Sequence, residues 1–366
     1  MNAMQFAKPN PYENEAAFSI LTRFTRANAC PDRQLTLKGL RATLGLPSSA
    51  YGLHVLSHAT GMPIGEFIYK HTTIPLLRAF SPYLGKAKES GAAASVTNTY
   101  RLITGITSLR YCRSCLAQQL QANAPPASYW NRLHQLPHLD WCVTHGEPLV
   151  VKAGNSLEYM PHEEACSALD DLPTSCESEL SNAVLHRYAD FLSLWIKSTK
   201  PISAIALAET LRKGCKKADL RIAQHGKRPV ISDIALELLP QSWLARHMPD
   251  LLSKTPGQFL QRLDGVAKDS HVPYPIGSSA LAAALLYESV EAFQTELALA
   301  NQRLESTDQS LGGLSGLIES AKRAFRDGAS ISQICKSHSL TLEQLEPMLR
   351  EAVRGHYPEQ GTALAL

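Results

Sequence analysis
The apolar positions of this chain fall into helical stripes. Between Glu13 and Asn28, Phe18, Leu21 and Phe24 stand three apart with Ala17 and Ile20 beside them, which predicts an amphipathic helix docked on its own domain. Val55 to Thr60 and Ile64 to Tyr69 predict two short helices around Gly61-Met62-Pro63. A glycine supplies positive φ in such a turn and a proline can open the next helix, the arrangement of a helix-turn-helix. The second helix carries Glu66, Phe67, Ile68 and Tyr69 with Lys70 as its one cation, so it is read as packing rather than as a base reader. Lys86 to Thr99 is small and polar, a loop or hinge.

Beyond residue 183 the pattern is helical almost throughout. Ala183 to Ser198 sets Val184, Leu185, Tyr188, Phe191, Leu192, Leu194 and Trp195 near one face, and Ile202 to Leu211 continues in the same mode. Ile231 to Leu239 and Ser242 to Leu252 predict two more helices parted by Pro240, and Ser279 to Phe293 a buried Ala/Leu helix. Ser330 with Gln333 and Thr341 with Gln344 are capping boxes that predict a second helix-turn-helix pair. Its charges balance and Pro347 interrupts its second helix, which favours protein contact or domain packing over groove reading.

Between these halves lies a stretch of different character. Cys112 and Cys115 stand two residues apart, and Cys142 and His145 repeat that spacing further on. Paired knuckles of this kind aim four ligands at one point, as a tetrahedral zinc ion requires, and three thiolates with one imidazole leave no open position for water. The expected site is therefore structural. His134 and His138 compete with His145 for the fourth place but lack its spacing to Cys142, while Tyr129, Trp130, Leu133, Leu136, Leu139 and Trp141 supply a small core. The fold class expected is mainly α and multi-domain: a helix-turn-helix-containing region over 1–105, a Cys3His zinc module over 106–151, an acidic linker over 152–182 and an all-helical domain over 183–366.

Composition narrows this picture. With 366 residues, 44% hydrophobic and 19% charged, the chain is ordinarily globular, and a net charge of +3 requires that any polyanion-binding patch be local. Such a patch exists at Arg212, Lys213, Lys216, Lys217, Arg221, Lys227 and Arg228, against Asp219 alone. Were all seven to meet phosphates, binding would weaken as roughly the sixth power of salt concentration. No secretory segment opens the chain and no apolar run approaches a membrane span, so a cytoplasmic location without a membrane partner is expected, and cysteines scattered outside the knuckles suit a reducing compartment. No phosphate-binding loop, nucleophile elbow or zinc-protease helix is present, and no carboxylate pair stands apart, so no enzyme is expected.

The knuckle stretch resembles the TniQ/TnsD family of transposition target-selection proteins. It keeps Cys112, Cys115, Leu116, Tyr129, Trp130, Leu136, Pro137, Cys142, His145, Gly146 and Leu149, and departs at Arg113 and Val143, where the family commonly has proline. An arginine near the end of the family's opening helix would correspond to Arg23 or Arg26. Many relatives carry a second knuckle, for which this chain offers only His162, Cys166 and Cys176. The resemblance implies a non-catalytic protein that marks an insertion site and recruits an AAA+ ATPase regulator and the transposase. One mode in the family docks as a homodimer on an RNA-guided CRISPR effector complex; the other reads an attachment site in DNA directly. The first is placed ahead on chain length. A zinc-stabilised helix-turn-helix transcription regulator is the alternative outside the family.

Overall fold
The structure, a computed structural model, describes residues 6–77, 80–81, 108–122, 127–153, 160–166, 177–198, 202–268, 274–304 and 333. Contacts divide the chain into two units, Met1–Leu297 and Ala298–Leu366, and every element named below belongs to the first. The Lys86–Thr99 hinge and, but for Gln333, the Ser330–Arg354 pair lie outside the described residues.

The fold is mainly helical. Helix α1 (Ala17–Ala27) buries Ala17, Phe18, Ile20, Leu21 and Phe24, as its stripe predicts. It begins with the first residue of that stripe, four residues into the Glu13–Asn28 stretch, while Glu15 before it forms an antiparallel bridge to Asn131. Helix α2 (Arg33–Thr43) has no counterpart in the sequence reading; Asp32 caps it by accepting the Leu35 N–H at 2.7 Å. Helices α3 (Gly52–Thr60) and α4 (Ile64–His71) form the expected helix-turn-helix, with Gly61 at φ 69° closing α3. A short α5 (Ile74–Leu77) follows. Ile20, Leu21, Phe24, Leu40, Leu53, Leu56 and Phe67 make one core among α1 to α4.

Strand β1 (Phe80–Ser81) pairs in parallel with β4 (Ile202–Ser203), and β2 (Ser108–Tyr111) pairs antiparallel with β3 (Val150–Ala153) in the register Tyr111 to Val150. Between β2 and β3 run α6 (Arg113–Ala122) and a 3-10 turn (Arg132–Gln135). Then come α7 (Pro161–Cys166), α8 (Glu177–Leu180), α9 (Ala183–Ile196), α10 (Ala204–Lys217), α11 (Ile231–Leu238), α12 (Gln241–His247), α13 (Pro249–Leu252), α14 (Gln261–Asp264) and α15 (Ile276–Leu286), with residues 290–297 helical again. Two expected helices are broken. Ser242–Leu252 parts into α12 and α13 because Pro249 has no N–H to continue the ladder. The Ser279–Phe293 helix instead starts at Ile276, after Pro275, and ends before an extended Tyr287.

The acidic stretch 152–182 is more than a solvated connection. Glu179 of α8 is fully buried, where its Oε1 accepts from Ser242 at 3.2 Å and from Arg246. Glu163 of α7 pairs with Arg26 of α1.

The large carboxy-terminal core takes in Tyr188, Phe191, Trp195, Leu211, Trp243 and Leu281, and with them Leu136, Leu139 and Trp141 from the knuckle stretch. Polar contacts fasten the same seam. The Tyr188 hydroxyl donates to Pro137 O at 3.1 Å, and Trp243 Nε1–H donates to His138 O at 3.0 Å. Asp140 accepts from His247 Nε2 at 2.7 Å and Arg246 Nε at 3.2 Å. Burial works against that carboxylate, yet the His247 hydrogen bond and the neighbouring positive charges hold it below the usual range.

His138 sits in this seam in the left-handed region, φ 57°, with its Nδ1 3.3 Å from the Tyr188 hydroxyl. Burial, then the nearby His247, lowers its pKa from 6.5 to about 4. Between those values the unfolded chain binds a proton that the folded chain refuses, so stability is full above pH 6.5 and declines as pH falls toward 4. Allowing for the partly exposed ring, the decline is on the order of 2 kcal/mol. Urea midpoints at pH 7.5 and pH 5 measure it. His138→Asn, which tolerates positive φ, is expected to shrink the difference, and an equal difference in that variant would refute the assignment.

Candidate metal centre
The four knuckle residues converge because two local devices fold back on each other. Cys112 directly follows β2, and α6 begins beside it, so Cys115 lies on the first turn with its N–H pointing at Cys112 Sγ, 3.4 Å away. The second knuckle is a tight turn: Gly146 N–H donates to Cys142 O at 2.8 Å, Cys142 N–H donates to Glu147 O at 2.7 Å, and Trp141 bridges to Pro148. Gly146 stands at φ 65°, a conformation in which a side chain would be strained.

His145 Nδ1 then lies 3.4 Å from Cys112 Sγ, 3.3 Å from Cys115 Sγ and 3.6 Å from Cys142 Sγ, and Cys115 Sγ lies 3.7 Å from Cys142 Sγ. Around a tetrahedral ion with zinc's bond lengths of about 2.3 Å to sulfur and about 2.05 Å to nitrogen, two sulfurs stand about 3.8 Å apart and sulfur and nitrogen about 3.5 Å. The residues fit such an ion. Among the described residues this is the one group of three or more His, Cys, Asp or Glu side chains close enough to hold a metal. Hydrogen bonds from Cys112 and Cys115 pull the Cys142 thiol well below its ordinary range, and contacts with Cys112 and Cys142 push Cys115 up. A divalent cation would replace the shared protons.

The surroundings orient the ligands. Gln118 Nε2 lies 3.0 Å from His145 Nε2; with Nδ1 given to a metal that ring nitrogen would bear the proton, and the amide, turned over, would present its oxygen to it. Glu147 accepts from the Ser114 hydroxyl at 2.6 Å, tying the two knuckles. His134 stands behind Cys142, its Nε2 3.7 Å from the sulfur, and His138 faces the carboxy-terminal helices, so of the three competing histidines His145 is the one the cluster includes. His162 of the doubtful second knuckle meets the Ser128 hydroxyl at 2.7 Å, while the side chains of Cys166 and Cys176 lie outside the described residues.

The centre is gripped from both sides. Trp130 is fully buried; its N–H donates to Ser19 Oγ at 3.1 Å and its carbonyl accepts from Ala16 at 2.8 Å. Arg110 donates to Leu139 O at 2.5 Å and Leu136 O at 2.6 Å, and burial lowers its pKa. Arg23, one of the two arginines singled out on α1, serves within the fold: it pairs with the buried Glu15 at 2.7 Å and lies 4.2 Å over the Tyr12 ring, which stacks on Tyr129.

The basic cluster is spread over the end of α10 and the loop after it. Lys216, Lys217 and Lys227 are exposed and have no carboxylate partner among the described residues. Lys213 pairs with Glu296 at 2.5 Å and Arg228 with Asp219 at 3.0 Å, both in solvent. Arg212 Nε donates to Ala208 O at 3.2 Å. Arg221 is engaged in holding the loop: its N–H meets Pro229 O at 2.8 Å, and its guanidinium donates to Gly226 O and, at 2.5 Å, to Gly257 O. On α4, Phe67, Ile68 and His71 are buried, Glu66 and Lys70 pair at 2.6 Å, and the Tyr69 hydroxyl donates to Lys197 O. Among the described residues no helix is long and apolar enough to cross a membrane.

A search among curated proteins finds no match. The family model TniQ matches residues 6–149, which run from the leader before α1 through both knuckles to the start of β3. TniQ proteins are non-catalytic accessory proteins of transposition, and the domain indicates target selection of the Tn7-like kind. The chain carries a TniQ domain over residues 6–149.

Proposed function
We propose that this protein is a non-catalytic target-selection adaptor, acting in the cytoplasm as a homodimer on an RNA-guided CRISPR effector complex and recruiting an AAA+ ATPase regulator and the transposase. Cys112, Cys115, Cys142 and His145 hold a structural zinc ion. The observation that carries the adaptor reading is the state of α4. In a helix-turn-helix protein this helix would read bases, yet Phe67, Ile68 and His71 are buried, Glu66 and Lys70 pair with each other and Tyr69 is bonded to Lys197, which leaves Ile64, an apolar side chain, exposed. Specificity then comes from a partner. The exposed Lys216, Lys217 and Lys227 support a second, weaker contact with DNA phosphates, flanked by Arg212, Lys213 and Arg228.

Binding of the zinc-loaded protein to random-sequence and attachment-site duplexes across a salt series tests this. The adaptor is expected to bind both duplexes alike, weakly, and with steep salt dependence. Replacing Lys216, Lys217 and Lys227 by Ala should lower the salt slope by roughly 3. Arg221 is left in place because its loss would undo the loop. A preference of one hundredfold for an attachment site would overturn the adaptor reading in favour of direct recognition.

A further inference from the structure
The three sulfurs of the metal centre are not equivalent. Cys112 is fully buried and faces the Cys115 N–H at 3.4 Å. Cys142 is 1% exposed and faces His134 Nε2 at 3.7 Å. Cys115 is partly exposed, and apart from the ring of its fellow ligand His145 no N–H donor among the described residues reaches its sulfur. His134 itself is 3% exposed, and its Nδ1 has no hydrogen-bond partner among the described residues. Of its two neutral tautomers, the one protonated at Nδ1 would leave a buried donor unmet and turn a lone pair toward a thiolate. The one protonated at Nε2 gives its proton to sulfur and leaves only an acceptor unmet, so it is favoured.

We infer that His134 is a positioning residue of the metal centre: it donates Nε2–H to Cys142 Sγ, holds that thiolate on the ion and shields it from electrophiles, leaving Cys115 as the thiolate through which the metal is lost. This rests on the metal reading of the four-residue cluster. Three thiolates and a neutral imidazole around a divalent cation carry one net negative charge in a largely buried site, and an N–H aimed at a sulfur spreads that charge and lowers the sulfur's nucleophilicity. The donor also makes the fourth neighbour of Cys142 a second-layer group rather than a competing ligand.

The experiment compares wild type, His134→Leu and His134→Gln loaded with Co2+ or Zn2+. Absorption of the Co2+ form reads the ligand set through its sulfur charge-transfer band. Iodoacetamide then alkylates the zinc form; each event joins sulfur to the acetamide carbon and expels iodide, and peptide mass analysis reports which cysteine reacts. Wild type should react first at Cys115, with metal release following that step. His134→Leu should shift the charge-transfer band and raise Cys142 alkylation about tenfold, and His134→Gln, which keeps an N–H donor, should restore much of the protection. A tetrahedral Co2+ spectrum with unchanged band and unchanged alkylation order in His134→Leu would overturn the role of His134 alone. Absence of that spectrum in wild type would overturn the metal reading and this inference together.

Discussion

Chelating the metal at neutral pH, or replacing Cys142 by Ser, is expected to abolish the cooperative melt of residues 6–297 rather than lower it by a few degrees. Binding of a structural zinc contributes on the order of 10 kcal/mol to the folding of a small module, and a whole domain is stable by only about 5–15 kcal/mol. Apart from the Ser114–Glu147 hydrogen bond and the β2–β3 pairing little else would hold the knuckles together, since the apolar cluster at the four ligands is Cys112, Cys142 and Leu149 with Cys115 beside it. The loss would spread because the module is shared. Trp130 reaches into the packing beneath α1, and Leu136, Leu139 and Trp141 belong to the carboxy-terminal core. Hydrogen exchange should show lost protection at Ala16 to Ile20 and in α9 as well as at the knuckles. A Cys142→Ser protein that melts as wild type and binds no metal by elemental analysis would show that the cluster is merely a buried thiol group.

The knuckles were legible because their chemistry is written in local spacing. Cys112 with Cys115 and Cys142 with His145 each form a self-contained turn, and the antiparallel pairing of β2 with β3 brings the two turns together. Helices with a clean stripe, such as α1, α9 and α10, were legible for the same reason. What escaped depends on contacts between residues far apart in the chain. Helix α2 buries only Thr36 and Leu40 of its own, too few for a stripe, and its signal was the Asp32 cap. Glu179 sits in an acidic run that reads as solvated, yet Arg246, distant in sequence, draws it into the interior. Arg221 counted as one cation among seven, although two glycine carbonyls claim it. His134 appeared as a rival ligand, and only its place behind Cys142 separates a donor to the sulfur from a donor to the ion.

Arg132 escaped too, and its removal should rank next in effect. It is 4% exposed, and burial lowers its pKa to about 10. Its Nε donates to Asn14 Oδ1 at 3.1 Å, and one terminal nitrogen donates to Tyr69 O and, at 3.2 Å, to Thr72 O. Those carbonyls lie at the carboxy-terminal end of α4, where a helix leaves its last acceptors unmet and where positive charge is favoured. A single guanidinium thus caps the second helix of the helix-turn-helix from the metal module. Arg132→Leu would leave these acceptors buried without donors, and with charge-assisted hydrogen bonds at about 1.5 kcal/mol each or more the expected loss is about 4 kcal/mol. Arg132→Lys should recover less than half, since one ammonium cannot reach Asn14 and the α4 carbonyls in the geometry of a planar fork. Urea unfolding of the zinc-loaded proteins reads both values. A loss under about 1 kcal/mol for Leu would mean that water takes over the α4 carbonyls and that α4 is held by its apolar face alone. The expected loss would instead make the orientation of α4 a property of the metal module.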